Sequence, residues 1–172
     1  VIFPVYSISG RVIAFGGRVL KTSDRTAKYL NSPESLIYSK SHSLYGIYHA
    51  KNAIVRENFC ILVEGYTDVM RMHQTGIENV LTADQIKLIS RFTKNITVIY
   101  DGDSAGIKAS LRGIDMILRE GLNVRVVLLP DGEDPDSFGR SHSAEEVRAY
   151  IEGHEEDFIR FKTRLLMADA GD

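Results

Sequence analysis

Three groups of acidic residues each follow a short apolar run. Glu64 comes directly after Cys60-Ile61-Leu62-Val63, and Asp101 and Asp103 follow Ile96-Thr97-Val98-Ile99-Tyr100. Asp131, Asp134 and Asp136 follow Val126-Val127-Leu128-Leu129-Pro130. If these runs are strands of one parallel sheet, every acid lies just past a carboxyl end, on the edge where open α/β sheets bind ligands. Anions crowded within a few ångströms either take up protons or share a cation. Oxygen donors without Cys or His select magnesium, manganese or calcium over zinc or copper, and magnesium leaves positions for water and phosphate oxygens. Such a site suits metal-assisted phosphoryl chemistry. Asp-Gly-Asp and Asp-Gly-Glu-Asp taken singly are also ordinary polar turns; their recurrence at three strand ends favours a site. Asp68, four residues after Glu64, either reaches the same cluster or only favours the dipole of its helix. Gly65, Gly102 and Gly106 allow close backbone approach beside the acids.

The elements that must position these residues are legible from Cys60 onward, where β-branched runs alternate with helical spacing. Strands are expected at Cys60 to Val63, Ile77 to Leu81, Ile96 to Tyr100 and Val124 to Leu129. Helices are expected at Tyr66 to Thr75, Thr82 to Phe92 and Ser104 to Glu120. The strand runs are continuously apolar rather than alternating, as parallel strands covered on both faces should be. Thr82 with Gln85 and Ser143 with Glu146 read as capping boxes, and Gly121 stands where a left-handed C-cap residue belongs. The fold class is therefore α/β, an open and mostly parallel sheet flanked by helices. Before it, alternation up to about Leu30 around Ser9-Gly10 and Gly16-Gly17 predicts an antiparallel hairpin, Asn31-Ser32-Pro33 a turn, and Leu44 to Glu57 a connecting helix. Ser143 to Asp169 reads as a helical, initially acidic segment. The expected organisation is residues 1–58 as a basic β-containing subdomain with its connecting helix, 59–138 as the sheet domain, and 139–172 as the start of a helical subdomain.

The sequence has 172 residues, 44% hydrophobic and 26% charged, which excludes a disordered linker or a fibre. No apolar run approaches the roughly 20 residues that cross a bilayer, so no membrane association is expected. The start Val1-Ile2-Phe3-Pro4 lacks signal-peptide flanks and a Met, and suggests a piece of a longer chain. One cysteine, Cys60, and five histidines without zinc-like spacing fit a reducing cytoplasm and no structural zinc site. The net charge of −2 hides an asymmetry: residues 1–58 carry eight basic and three acidic side chains, residues 131–157 two basic and ten acidic. The first region suits a polyanion, and the second repels one unless cations intervene. Phe15, Tyr29 and Tyr45 in the basic region suit either base stacking or a core.

Glu64-Gly65-Tyr66-Thr67-Asp68, Tyr100-Asp101-Gly102-Asp103-Ser104-Ala105-Gly106 and Leu129-Pro130-Asp131-Gly132-Glu133-Asp134-Pro135-Asp136 together resemble the Toprim domain, and in this form the bacterial DnaG-type primases. Gly10 to Arg18 and Lys28 to Glu34 match blocks of the same family, so the resemblance runs through at least Phe138. It implies a DNA-dependent RNA polymerase that lays RNA primers on a single-stranded DNA template from ribonucleoside triphosphates. It further implies Glu64, Asp101 and Asp103 as catalytic ligands of magnesium or manganese, with Asp68, Asp134 and Asp136 assisting. Arg18, Lys28, Asn31 and Lys40 fall in blocks associated with nucleotide phosphates and nucleic acid. The family's zinc-binding module and its module that contacts the replicative helicase lie outside this sequence. One departure is visible: the family carries a Ser/Gly/Thr-rich loop where Glu78-Asn79-Val80 here passes directly into Leu81-Thr82. A Toprim nuclease or topoisomerase-like enzyme, a non-catalytic nucleic-acid-binding module, and a phosphatase using Asp101 as nucleophile are the competing readings. The last leaves the Glu64 block unexplained.

Overall fold

The computed structural model describes residues 1–19, 29–82, 86–101, 117–118 and 120–170. Its first sheet is antiparallel, with strands β1 (Ile2–Tyr6), β2 (Val12–Arg18) and β3 (Tyr29–Asn31) in the order β1-β2-β3. The β1–β2 turn closes through the Ser7 N–H on the Arg11 carbonyl at 2.8 Å, with Gly10 at φ +87°. Burial alternates along β1, and Phe3, Val5 and Ala14 face inward, as expected for a sheet with one solvated face. Gly16 lets β2 pack closely on the helix that begins at Tyr66: a Cβ there would lie 2.3 Å from the Tyr66 ring.

The connecting helix α1 (Ile47–Glu57) begins after Gly46, at φ +92°, and ends on Asn58 in the left-handed region. The second sheet follows, with strands β4 (Cys60–Val63), β5 (Val80–Thr82), β6 (Asn95–Tyr100), β7 (Asn123–Leu128) and β8 (Glu156–Asp157). Their order is β5-β4-β6-β7-β8, parallel except for β8. The remaining helices are α2 (Tyr66–Gln74), α3 (Ile86–Ile89), α4 (Pro135–Ser141), α5 (Ala144–His154) and α6 (Phe158–Ala170). One face of the sheet buries Leu62, Ile96 and Val98 with Ile54, Phe158 and Phe161. The other buries Ile61, Val63, Ile99 and Val127 with Val69, Met72, Phe138 and Ile151. Coverage on both faces explains the unbroken apolar runs. Among the described residues no helix is long and apolar enough to cross a membrane.

Several expected boundaries move. Ile77 does not start a strand, because it completes the cap of α2: its N–H reaches the Met72 carbonyl at 2.9 Å and the Gly76 N–H reaches His73 at 3.0 Å. With Gly76 at φ +82°, this is a Schellman motif, and its hydrophobic contact is the buried Ile77–Met72 pair. Val80 and Leu81 are consecutive residues of β5, opposite Ile61 and Leu62, and Thr82 pairs with Val63 instead of capping a helix. Gln85 lies outside the described residues, as does the expected helix from Ser104, of which Ile117 and Leu118 are described and helical. Gly121 has the expected positive φ, +69°. The segment after Ser143 is two helices separated by β8, which pairs antiparallel with β7 through Glu156 and Asp157. The Ser143–Glu146 capping box forms, at 2.7 and 3.3 Å.

Candidate active site

Strands β4, β6 and β7 are neighbours, with Leu62 opposite Val98 and Tyr100 opposite Leu128. Glu64, Asp101 and the segment after Leu129 therefore leave the sheet along one edge, from strands about 4.8 Å apart. Glu64 is exposed and makes no hydrogen bond or ion pair among the described residues. Gly65, the N-cap of α2, donates its N–H to Asp68 Oδ2 at 2.8 Å. A Cβ at Gly65 would stand 2.8 Å from that same oxygen, so the missing side chain is what lets Asp68 fold back over the strand end.

Asp68 is 7% exposed. Its carboxyl is pushed up from 3.8 to about 6, first by burial, against the Gly65 N–H, and then by the charges of Asp134, Asp101 and Asp136. Acids from two other segments, the ends of β6 and β7, thus act on one buried carboxyl. Asp134 caps α4, accepting from the Ser137 N–H at 2.7 Å with Pro135 next at the first helical position, so its carboxylate stands at the positive end of that helix. Asp136 lies between two guanidiniums, 3.0 Å from Arg71 Nε and 2.5 Å from Arg140 Nη2. Burial alone would raise Asp136, but the bonds from Arg140 and Arg71 outweigh it and hold the carboxyl below its ordinary value. Asp103 lies outside the described residues. Among the described residues no three acidic, His or Cys side chains are gathered closely enough to hold an ion. The donor set is nevertheless all hard oxygen, and the repulsion at Asp68 is of the kind a proton or a divalent cation relieves.

The basic residues approach from the first sheet. Arg18, last in β2, donates from Nη1 to Thr67 Oγ1 on α2 at 3.3 Å and lies 5.3 Å over the Tyr29 ring. The Tyr66 hydroxyl donates to Asn31 Oδ1 at 3.4 Å. Asn31 and the exposed Lys40 line one cleft with Tyr38, Tyr45 and Tyr66. Lys28 lies outside the described residues. Phe15 and Tyr29 are exposed by 53% and 45%, whereas Tyr45 stacks on Tyr66 at 4.3 Å and its hydroxyl is raised by burial. Tyr45 is thus part of the packing. Two residues absent from the sequence reading enter here: Arg71 and Arg140 line a cleft of about 470 Å³ with Arg18, Thr67 and Asp136. The one local signal for them is the Asp136–Arg140 spacing of four.

Residues 1–51 match the family profile described as DNA primase catalytic core, N-terminal domain. Residues 61–139 match the Toprim-like profile. The chain belongs to the DnaG-type primase family. It is 44% identical over 165 residues to the DNA primase of Aquifex aeolicus, a match covering 92% of this chain and 33% of that protein. Against the DNA primase of Escherichia coli K12 it is 43% identical over 162 residues, 88% of this chain and 28% of the relative. The chain therefore spans about a third or less of these curated relatives. A crystal structure of a DNA primase domain from Pseudomonas aeruginosa superposes with a TM-score of 0.88 at 37% identity, covering 98% of this chain and 55% of that one. The structure of the DnaG primase catalytic domain bound to ssDNA superposes with a TM-score of 0.77 at 40% identity, covering 89% and 52%. The α/β, mostly parallel architecture read from the sequence is that of these DnaG catalytic cores.

Proposed function

We propose that this chain forms the nucleotidyl-transfer centre of a DNA primase, which joins ribonucleoside triphosphates into short RNA primers on single-stranded DNA. The observation that carries this reading is the convergence of Asp101, Asp134 and Asp136 on the buried Asp68, next to a cleft lined by arginines. Glu64 and Asp101, with Asp103, hold the ion, magnesium or manganese; Asp68 and Asp134 complete the negative field around it, and Asp136 links it to the cations. When bound, such an ion neutralises the triphosphate and favours the ionised 3′ oxygen of the primer. Arg18, Lys28, Asn31 and Lys40 hold phosphates and template in line. In the reaction the 3′ oxygen bonds to the α-phosphorus, the bond from that phosphorus to the bridging oxygen breaks, the hydroxyl proton goes to water and pyrophosphate leaves. We further assign residues 1–58 to the basic subdomain, 59–138 to the Toprim domain and 139–172 to the start of a helical subdomain. The protein acts in the cytoplasm at the replication fork, beside a helicase bound through a region outside this sequence.

The test is extension of a primer annealed to single-stranded DNA, with ribonucleoside triphosphates and magnesium or manganese. Glu64→Gln and Asp101→Asn should each lower incorporation about a hundredfold or more, the range for loss of a group that stabilises transition-state charge. Undiminished incorporation in either variant rejects these roles. Metal-dependent nicking of DNA without incorporation would support the nuclease reading instead.

A further inference from the structure

The cleft beside the acids is a surface with an unusual charge balance. Arg18 enters it from β2, Arg71 from α2 and Arg140 from α4, and Asp136 is the one carboxylate among the described residues that line it. Three guanidiniums thus gather around Asp136, with Asp134 also acting on Arg140. Arg71 uses Nε on Asp136, and its two terminal nitrogens make no bond among the described residues. Its aliphatic stem lies across α4, where a Cβ on Gly139 would meet Arg71 Cγ at 2.7 Å and Cδ at 3.2 Å. Gly139 is therefore the gap through which Arg71 reaches the cleft. Arg140 is 64% exposed and chelates Asp136 through Nε at 3.4 Å and Nη2 at 2.5 Å. Asp136 in turn stands close enough to Asp68 to act on it, so the cationic cleft begins where the acidic cluster ends.

We infer that Arg71 and Arg140, drawn together by Asp136, complete with Arg18 a binding site for an oligophosphate, the β- and γ-phosphates of the incoming triphosphate. This deepens the reading of the acid cluster as a nucleotidyl-transfer centre and rests on it for the identity of the ligand. Planar guanidiniums bind phosphate oxygens in bidentate fashion, and a cleft of a few hundred cubic ångströms is of ligand size. Asp136 lines the cleft and also acts on Asp68, so a nucleotide with its α-phosphate at the acids would extend its tail toward these arginines. Asp136 serves here as a positioning residue, holding two long side chains in one orientation.

The experiment is calorimetric titration of this chain with inorganic pyrophosphate, in chelator and at fixed ionic strength. Arg71→Met, which keeps a stem against Gly139, and Arg140→Gln, at an exposed position, should each weaken pyrophosphate about tenfold. They should weaken ATP alike and leave AMP unchanged. Arg160→Gln, an exposed arginine on α6, controls for net charge and should change nothing. Melting curves of the variants report folding, and Arg140→Gln keeps the test alive if Arg71→Met is unstable. The inference is overturned if the parent chain does not bind pyrophosphate, if neither cleft variant weakens it, or if Arg160→Gln weakens it equally. It is also overturned if the cleft variants weaken a single-stranded oligonucleotide and spare pyrophosphate. Binding needs neither metal nor turnover and should persist in Glu64→Gln. Pyrophosphate binding without nucleotide incorporation therefore rejects the polymerase reading alone, and incorporation with unchanged pyrophosphate affinity in the cleft variants rejects this inference alone.

Discussion

Removing the charge of Asp68 should make the metal-free protein more stable, although it damages the site. Asp68 is 7% exposed and its carboxyl titrates near 6 instead of 3.8. A carboxyl raised in the folded state binds more protons there than in the unfolded chain between those two values. Stability therefore falls as pH rises from about 4 to about 6, and the loss is complete above that window. At about 1.4 kcal/mol per pH unit the cost at neutral pH is roughly 3 kcal/mol. Asp68→Asn keeps an oxygen to accept from the Gly65 N–H and carries no charge. In urea with chelator at pH 7.5 the variant should exceed the parent by 1 to about 3 kcal/mol, a rise of several degrees in Tm for a chain of this size. At pH 3.5, where both side chains are neutral, the difference should vanish. Magnesium should then stabilise the parent more than the variant, since a ligand bound only to the native state adds stability by mass action. An Asn variant that is less stable than the parent at pH 7.5 without metal, or a difference independent of pH, refutes the picture of Asp68 as a carboxyl destabilised by its neighbours.

Gly65→Ala places a methyl group 2.8 Å from Asp68 Oδ2, so it should cost about 1 to 2 kcal/mol through loss of the α2 cap and should weaken manganese binding in a calorimetric titration; an unchanged melt and affinity would show that Asp68 does not need this fold-back. Leu62→Ala, at a position buried completely in the interior strand β4, should cost about 3 kcal/mol in urea denaturation, and a loss under 1 kcal/mol would mean that the two-sided core is misplaced. Cys60 is fully buried and its thiol is pushed far up by burial, so a maleimide should label it only after unfolding; stoichiometric labelling of the native chain would contradict its place in the core.

Much of the architecture is written in local pattern. Cys60 to Val63 and Ile96 to Tyr100 are apolar on both faces because helices cover both, and that pattern alone separates a parallel central strand from a solvated one. The acids were legible because a strand's end is also the end of its apolar run. What the pattern hides is tertiary. Ile77 looks like the first residue of a strand and instead closes the cap of α2, because Gly76 can take φ +82° and Ile77 can reach Met72. Glu156 and Asp157 have no strand signature, and they pair only because β7 offers an edge. Arg71 reads as a surface residue of an amphipathic helix; its reach to Asp136 depends on Gly139, 68 residues away, leaving room on another helix. Asp103 and Lys28 stay as the sequence left them, residues in family blocks that lie outside the described residues.

The central claim is that carboxylates from separate strand ends share a divalent ion. A crystal of this chain soaked with manganese and a ribonucleoside triphosphate tests it most directly. Anomalous density bound by Glu64 and Asp101, with the triphosphate tail running toward Arg18, Arg71 and Arg140, is the expected result. Manganese bound away from both Glu64 and Asp101, or a nucleotide seated on another face of the sheet, would contradict it.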